Sequence, residues 1–219
     1  MVRFNNVFYS SFLPTNGILV RGRLANDNIS ISGNVLHDST LEGGPGNDRL
    51  VGATGDDLIL GGIGNDLILG GAGDNVMDGG IGNDQIAARN GRDILIGGSG
   101  IDALQGGSGR DILVGGSGAD QLSGGLGNDI NIAGEASLDI GQLQQVLAEW
   151  SSQTAADAIA NIQAGVGGLP TLAPGSDVTL DDDSRDVLSD SYGDNWFFQS
   201  LADLDLLRRS TRNADTIEV

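Results

Sequence analysis

From residue 43 to residue 132 the chain reads GGPGNDRLV, GATGDDLIL, GGIGNDLIL, GGAGDNVMD, GGIGNDQIA, ARNGRDILI, GGSGIDALQ, GGSGRDILV, GGSGADQLS and GGLGNDINI, ten nonapeptides without a break. The fourth position is glycine in all ten, and the sixth is Asp in nine and Asn75 in the other. The eighth is aliphatic or Met in nine and polar only at Asn131. A fixed period of this kind marks a repeat architecture, in which each unit buries its apolar face only by stacking on its neighbours.

Each position has a physical reading. Glycine at the first, second and fourth places supplies a turn whose backbone enters conformations closed to residues with a Cβ, and the last three residues read as a short strand. Side chains alternate across a strand, so Leu50, Ile59, Ile68, Met77, Ile86, Leu95, Leu104, Leu113 and Leu122 can share one side and form a core. Two nonapeptides then make one coil with a strand on each face, and coils stack at about the 4.8 Å strand spacing.

The stacking sets Asp48, Asp66, Asp84, Asp102 and Asp120 in a column along one edge, and Asp57, Asn75, Asp93, Asp111 and Asp129 along the other. Bare carboxylates ~5 Å apart repel by roughly 1 kcal/mol even in water. Closing a thin core against two such columns calls for a cation between neighbouring carboxylates. The glycine turns add backbone carbonyls, so the donor set is hard oxygen, as calcium prefers. Imidazole and thiolate ligands are missing from the array, which disfavours a transition metal.

The run resembles the hemolysin-type calcium-binding repeats (repeats in toxin, RTX), whose consensus is GGxGxDxUx with U aliphatic. The resemblance implies an all-β repeat fold, a parallel β-roll or β-solenoid, here with a small helical segment in the C-terminal cap. It also implies a ligand scheme. Each calcium lies between two loops on one edge, the earlier giving the carbonyls of its second and fourth residues and its Asp, the later giving those of its first and third residues and its Asp. On the first edge this joins Gly44, Gly46 and Asp48 to Gly61, Ile63 and Asp66, then Gly62, Gly64 and Asp66 to Gly79, Ile81 and Asp84. Next on that edge, Gly80, Gly82 and Asp84 meet Gly97, Ser99 and Asp102, and Gly98, Gly100 and Asp102 meet Gly115, Ser117 and Asp120. On the second edge the same scheme uses Gly55 and Asp57 with Gly70, Ala72 and Asn75, followed by Gly71, Gly73 and Asn75 with Asp93. It continues with Gly91 and Asp93 against Gly106, Ser108 and Asp111, and ends with Gly107, Gly109 and Asp111 against Gly124, Leu126 and Asp129. About six to eight ions are implied, the two sites that share Asn75 being the weaker for want of a carboxylate.

Composition agrees with this reading and removes others. Of 219 residues 37 are glycine and only 4% are aromatic, too few large side chains for an ordinary core. The net charge of −19 repels nucleic acid and anionic membrane surfaces. Cysteine is absent, so disulfides and thiolate sites are out of reach. No stretch suits a membrane span or a cleavable signal peptide. The inventory for catalysis is also poor: one histidine, His37, excludes HExxH and reads as a solvated loop residue, while GxSxG and GxGxxG do not occur. Neither a catalytic site nor a cofactor site is expected, and the protein is not read as an enzyme.

The flanks read as caps. Residues 1–42 hold short strands near residues 17–20 and 29–32 and a decayed repeat ending at Asn26-Asp27-Asn28-Ile29, and Leu41 keeps the eighth-position phase. Residues 133–219 begin with a helix that Ser137 could cap and whose stripe is Ile140, Leu143, Val146, Leu147 and Trp150, packed on the last coil. A second short helix is expected at Ala156, Ile159 and Ile162. The nine-residue phase returns in degraded form at 172–198, where Trp196, Phe197 and Phe198 would plug the end, and again at 213–217. These features suggest an extracellular or surface-located structural protein that folds on calcium after export and docks copies end to end into filaments. The alternative is the C-terminal module of a larger type I secreted hydrolase or adhesin. Calcium buffering alone would leave the C-terminal region without a role.

Overall fold

The computed structural model describes residues 17–31, 37–136 and 138–152, together with short strands at 2–4, 7–9, 178–179, 187–189, 196–198, 206–208 and 216–218. Its body is a parallel β-solenoid of two facing sheets, as the period predicts. One sheet has nine strands and the other ten, and within the array each strand pairs in parallel with the strand 18 residues on. The chain crosses from sheet to sheet after each nonapeptide.

The strands are longer than three residues. Leu58–Ile63, Leu67–Ala72, Val76–Ile81 and their successors run from the seventh position of one repeat to the third of the next. The two leading glycines therefore belong to the sheet, with Gly44 opposite Gly62 and Gly62 opposite Gly80, and only positions four to six turn the corner. Glycine is required here because coils approach too closely for a side chain. A Cβ on Gly64, whose φ is +135°, would overlap the carbonyl oxygen of Gly46 in the coil below.

All nine apolar eighth-position residues are buried, none more than 2% exposed, and Ile29, Leu41 and Leu188 prolong their row beyond both ends of the array. The stack thus continues into the flanks. Ile18–Arg21 and Asn28–Ile31 add a strand to each sheet, and Val187–Ser189 and Trp196–Phe198 add parallel strands after Gln121–Leu126 and Ile130–Ile132. Leu206–Arg208 and Thr216–Glu218 are the last strands. The segment at 172–180 departs from the expected phase: Val178–Thr179 pairs antiparallel with Glu135–Ala136, outside both main sheets. At the other end Val2–Phe4 and Val7–Tyr9 form an antiparallel hairpin on Asn28–Ile31.

Helix α1 spans Ile140–Ser152. Asp139 caps it, its Oδ1 accepting the Gln142 N–H at 2.8 Å while Gln142 Oε1 accepts the Asp139 N–H at 2.9 Å. This reciprocal box starts the helix; Ser137 and the stretch around Ala156, Ile159 and Ile162 lie outside the described residues. The helix meets Ile130 and Ile132 of the last array coil, as expected, and covers earlier coils as well. Leu143, Val146 and Leu147 lie on the outer face of the nine-stranded sheet, in one cluster with Val76, Ile94, Ile112, Val114, Ile130 and Ile132. The seventh position explains the choice. In the nine-stranded sheet it is apolar throughout the array, at Leu58, Val76, Ile94, Ile112 and Ile130, whereas in the ten-stranded sheet Arg49, Gln85 and Gln121 alternate with Leu67 and Ala103.

Candidate metal centres along the two edges

The sixth-position residues are where the sequence puts them, in two columns 18 residues apart, and all ten are buried to 3% exposure or less. Each column is a ladder. The backbone N–H of one member donates to Oδ1 of the next: Asp48 to Asp66 at 2.7 Å, Asp66 to Asp84 at 2.7 Å, Asp84 to Asp102 at 2.7 Å and Asp102 to Asp120 at 2.8 Å. The second edge repeats it from Asp57 through Asn75, Asp93, Asp111 and Asp129 at 2.8 to 3.0 Å. The ladder thereby fixes each carboxylate and leaves Oδ2 aimed into the gap between coils.

Those second oxygens decide what the gap can hold. Oδ2 of Asp48, Asp66, Asp84, Asp93 and Asp102 is buried and accepts no hydrogen bond. A buried acceptor without a partner costs about 1 to 3 kcal/mol, and more when it carries charge. Carbonyls gather at the same points. Asp66 Oδ2 and the Gly79 carbonyl oxygen lie 2.5 and 2.6 Å from where a Cβ on Gly61 would sit, and Asp102 Oδ2 and the Gly115 oxygen lie 2.6 and 2.5 Å from the equivalent point on Gly97. The missing Cβ leaves a cradle walled by a carboxylate and a carbonyl. Second- and fourth-position carbonyls, such as those of Gly62 and Gly64, face the loop above. Third-position carbonyls are already engaged, Ile81 accepting the Gly64 N–H at 2.7 Å and Ser99 the Gly82 N–H at 2.8 Å, although a carbonyl keeps a second lone pair.

Burial acts on the charge as well. It pushes the Asp66, Asp84 and Asp93 carboxyls up to about 6, against the partial relief of backbone N–H donors, with neighbouring carboxylates adding to the rise. Asp48, Asp57 and Asp102 are raised by the same desolvation. As an apo site the column disfavours its own ionised form; an oxygen-seeking cation in the gap reverses that preference. Among the described residues no three side chains of His, Cys, Asp or Glu come together. A cation here depends on paired carboxylates plus backbone oxygens, the chemistry of a hard ion with many oxygen ligands.

One feature was not read from the sequence and two go beyond what was read. A second ladder runs at the fifth position in the opposite sense: the Asn65 N–H donates to Asn47 Oδ1 at 2.9 Å and the Asn83 N–H to Asn65 Oδ1 at 2.8 Å. On the second edge its members are acidic, with the Asp74 N–H on Asp56 Oδ1 at 2.8 Å and Arg92 paired to the Asp74 carboxylate. The decayed repeat at 22–30 is a working one: Ala25 takes the fourth-position glycine's place at φ +75°, and the buried Asp27 donates its N–H to Asp48 Oδ1 at 2.6 Å. On the second edge, where the sites sharing Asn75 are the expected weak ones, Ala53 and Asn75 each bring a donor to the gap. His37 is exposed, in keeping with a loop residue.

A parallel roll with buried carboxylate ladders and glycine-lined carbonyl gaps defines a calcium-binding repeat solenoid. Residues 38–130 match the RTX calcium-binding nonapeptide repeat in four overlapping copies, at 38–68, 60–95, 69–104 and 96–130. The chain carries RTX calcium-binding repeats, a structural calcium-binding motif rather than a catalytic one. No curated protein matches the chain, and no solved structure does. No described helix is long and apolar enough to cross a membrane.

Proposed function

We propose that this chain is an extracellular structural protein whose roll folds when calcium fills the gaps between successive sixth-position carboxylates, each ion held by the two carboxylates and the four carbonyls of the scheme above. The observation that carries this reading is the row of buried Oδ2 atoms without donors. Coupling follows from it, because binding free energy at such a row is folding free energy. Extracellular calcium modules bind at about 10⁻⁴ to 10⁻³ M, so the same chain stays open in a calcium-poor cytosol and closes outside. The flanking segments, 1–42 and 133–219, act as caps on the 43–132 array.

End-to-end association is part of this reading. Ile18–Arg21 and Thr216–Glu218 are opposite ends of one nine-stranded sheet, and both pair in parallel with their neighbours. An edge strand of one copy therefore matches the far edge of another, a heterologous contact that propagates instead of closing. In the ten-stranded sheet the corresponding end is the antiparallel pair 2–4 and 7–9, which lacks this parallel match. Isothermal titration with calcium and magnesium, followed by light scattering and electron microscopy, tests both parts. We expect calcium-selective binding and filaments that are lost when residues 213–219 are deleted. A protein that takes up no calcium overturns the reading, and a calcium-loaded monomer at high concentration overturns the assembly.

A further inference from the structure

The two edges do not close in the same way. On the first edge every gap within the array opens on a buried oxygen without a donor, from Asp48, Asp66, Asp84 or Asp102 in turn. On the second edge donors of the chain itself enter the first two gaps. Between the Asp57 and Asn75 loops, Asp57 Oδ2 accepts the Ala53 N–H at 3.1 Å, while its Oδ1 takes both the N–H and the hydroxyl of Ser39, at 2.8 and 2.6 Å. Three donors engage both oxygens of this carboxylate. The cause is local: Ala53 replaces the second glycine, its φ is not positive, and the preceding strand stops at Val51. The next gap, between the Asn75 and Asp93 loops, receives a donor in place of an acceptor. Asn75 Oδ1 accepts the Asp57 N–H at 3.0 Å, which fixes the amide's orientation, and Nδ2 then donates to the Gly73 carbonyl at 3.0 Å. That carbonyl is one the calcium scheme needs, and the amide hydrogens face where the ion would sit. Gly70, the cradle glycine of this gap, accordingly faces Asn75 Nδ2 at 3.0 Å and the Ala88 carbonyl only at 3.3 Å.

We propose that the two gaps flanking Asn75 hold no ion: hydrogen bonds from Ala53, Ser39 and Asn75 close them, so the array takes six ions, four on the first edge and two on the second. This rests on the calcium reading above and sharpens it, because the equal treatment of both edges gives eight. It also makes the coil around Asn75 a segment that is closed before calcium arrives, next to the docked helix, with Arg92 on Asp74 supplying a positive charge at the same place.

Native mass spectrometry of the full chain at saturating calcium counts the ions directly, and differences between variants locate them. Asp57→Asn should leave the count unchanged, Asn75→Asp should add one, and Asn75→Asp with Ala53→Gly should add two. Asp84→Asn, on the first edge, should remove one or two. A wild-type array with eight ions overturns the proposal, as does a count that falls with Asp57→Asn as far as with Asp84→Asn, or one that Asn75→Asp leaves unchanged. A chain that binds no calcium in any form fails the underlying reading instead, so the two failures are told apart.

Discussion

The first edge, through Asp48, Asp66, Asp84, Asp102 and Asp120, keeps the double glycine in every array loop; the second, through Asp57, Asn75, Asp93, Asp111 and Asp129, breaks it at Ala53 and at Ala88-Arg89. Both edges are built on the same sixth-position ladder, and both turn the same corner. They differ in what faces the gap. Where glycine allows a positive φ at the second position, carbonyls and an unsatisfied carboxylate oxygen line it; where Ala53 or Asn75 intervenes, an N–H enters and the polar groups satisfy each other. The lesson is that one fold can be closed from outside by an ion or from inside by a donor, and single residues decide which.

The largest effect that would separate the edges comes from glycine. Gly82→Ala on the first edge puts a Cβ at φ +140° against the Gly64 carbonyl, and should cost on the order of 3 kcal/mol in calcium-loaded thermal unfolding. Ala53→Gly on the second edge relieves nothing and should change stability by less than about 1 kcal/mol. Equal losses would mean that the two loops are constrained alike.

Removing a carboxylate comes next. Asp84→Ala takes a ligand from two gaps and should raise the calcium midpoint of folding by on the order of tenfold. Asp57→Ala should lower stability through its lost hydrogen bonds, about 1 to 3 kcal/mol, while hardly moving the midpoint. Matching midpoint shifts would erase the distinction.

Acid should act as a partial substitute for calcium, and mainly on the ionisable columns. Asp66, Asp84 and Asp93 carry folded values near 6, against an unfolded value of about 3.9. The folded chain therefore binds more protons than the unfolded one between these limits. The contribution is fully present below about 4 and is lost as pH rises through 6. In chelator, β signal should increase on going from pH 7 towards pH 4.5, whereas calcium affinity should fall below pH 6 because the ligands must be ionised. A chelated chain that loses β signal on acidification contradicts this sign.

The smallest effect belongs to the second edge's surface. Arg92 and the Asp74 carboxylate are about half and a third exposed, so Arg92→Ala should cost no more than about 1 kcal/mol and leave calcium binding intact.

Much of this was legible beforehand because two positions of the repeat carry nearly all the constraint. The eighth position is apolar and of middling size in every repeat but the last, where Asn131 stands, and the sixth must reach into the gap, so the core row and both columns could be read from spacing alone. What escaped was written at a period of 18, not nine. Val76, Ile94, Ile112 and Ile130 fall on alternate repeats, and reading alternate repeats separately would have placed the helix on that face. The Asn47, Asn65 and Asn83 ladder has the same period. Ala53 was harder to see, since its effect depends on which way one N–H points.

The central claim is that the carboxylate ladders cannot close without a cation. Circular dichroism of the full chain at pH 7, first in excess chelator and then with calcium added to millimolar levels, tests it most directly. The account predicts little β signal in chelator beyond the coil around Asn75, and a cooperative rise to the full signal with calcium that magnesium does not reproduce. Full β signal in chelator at pH 7, unchanged by calcium, would contradict it.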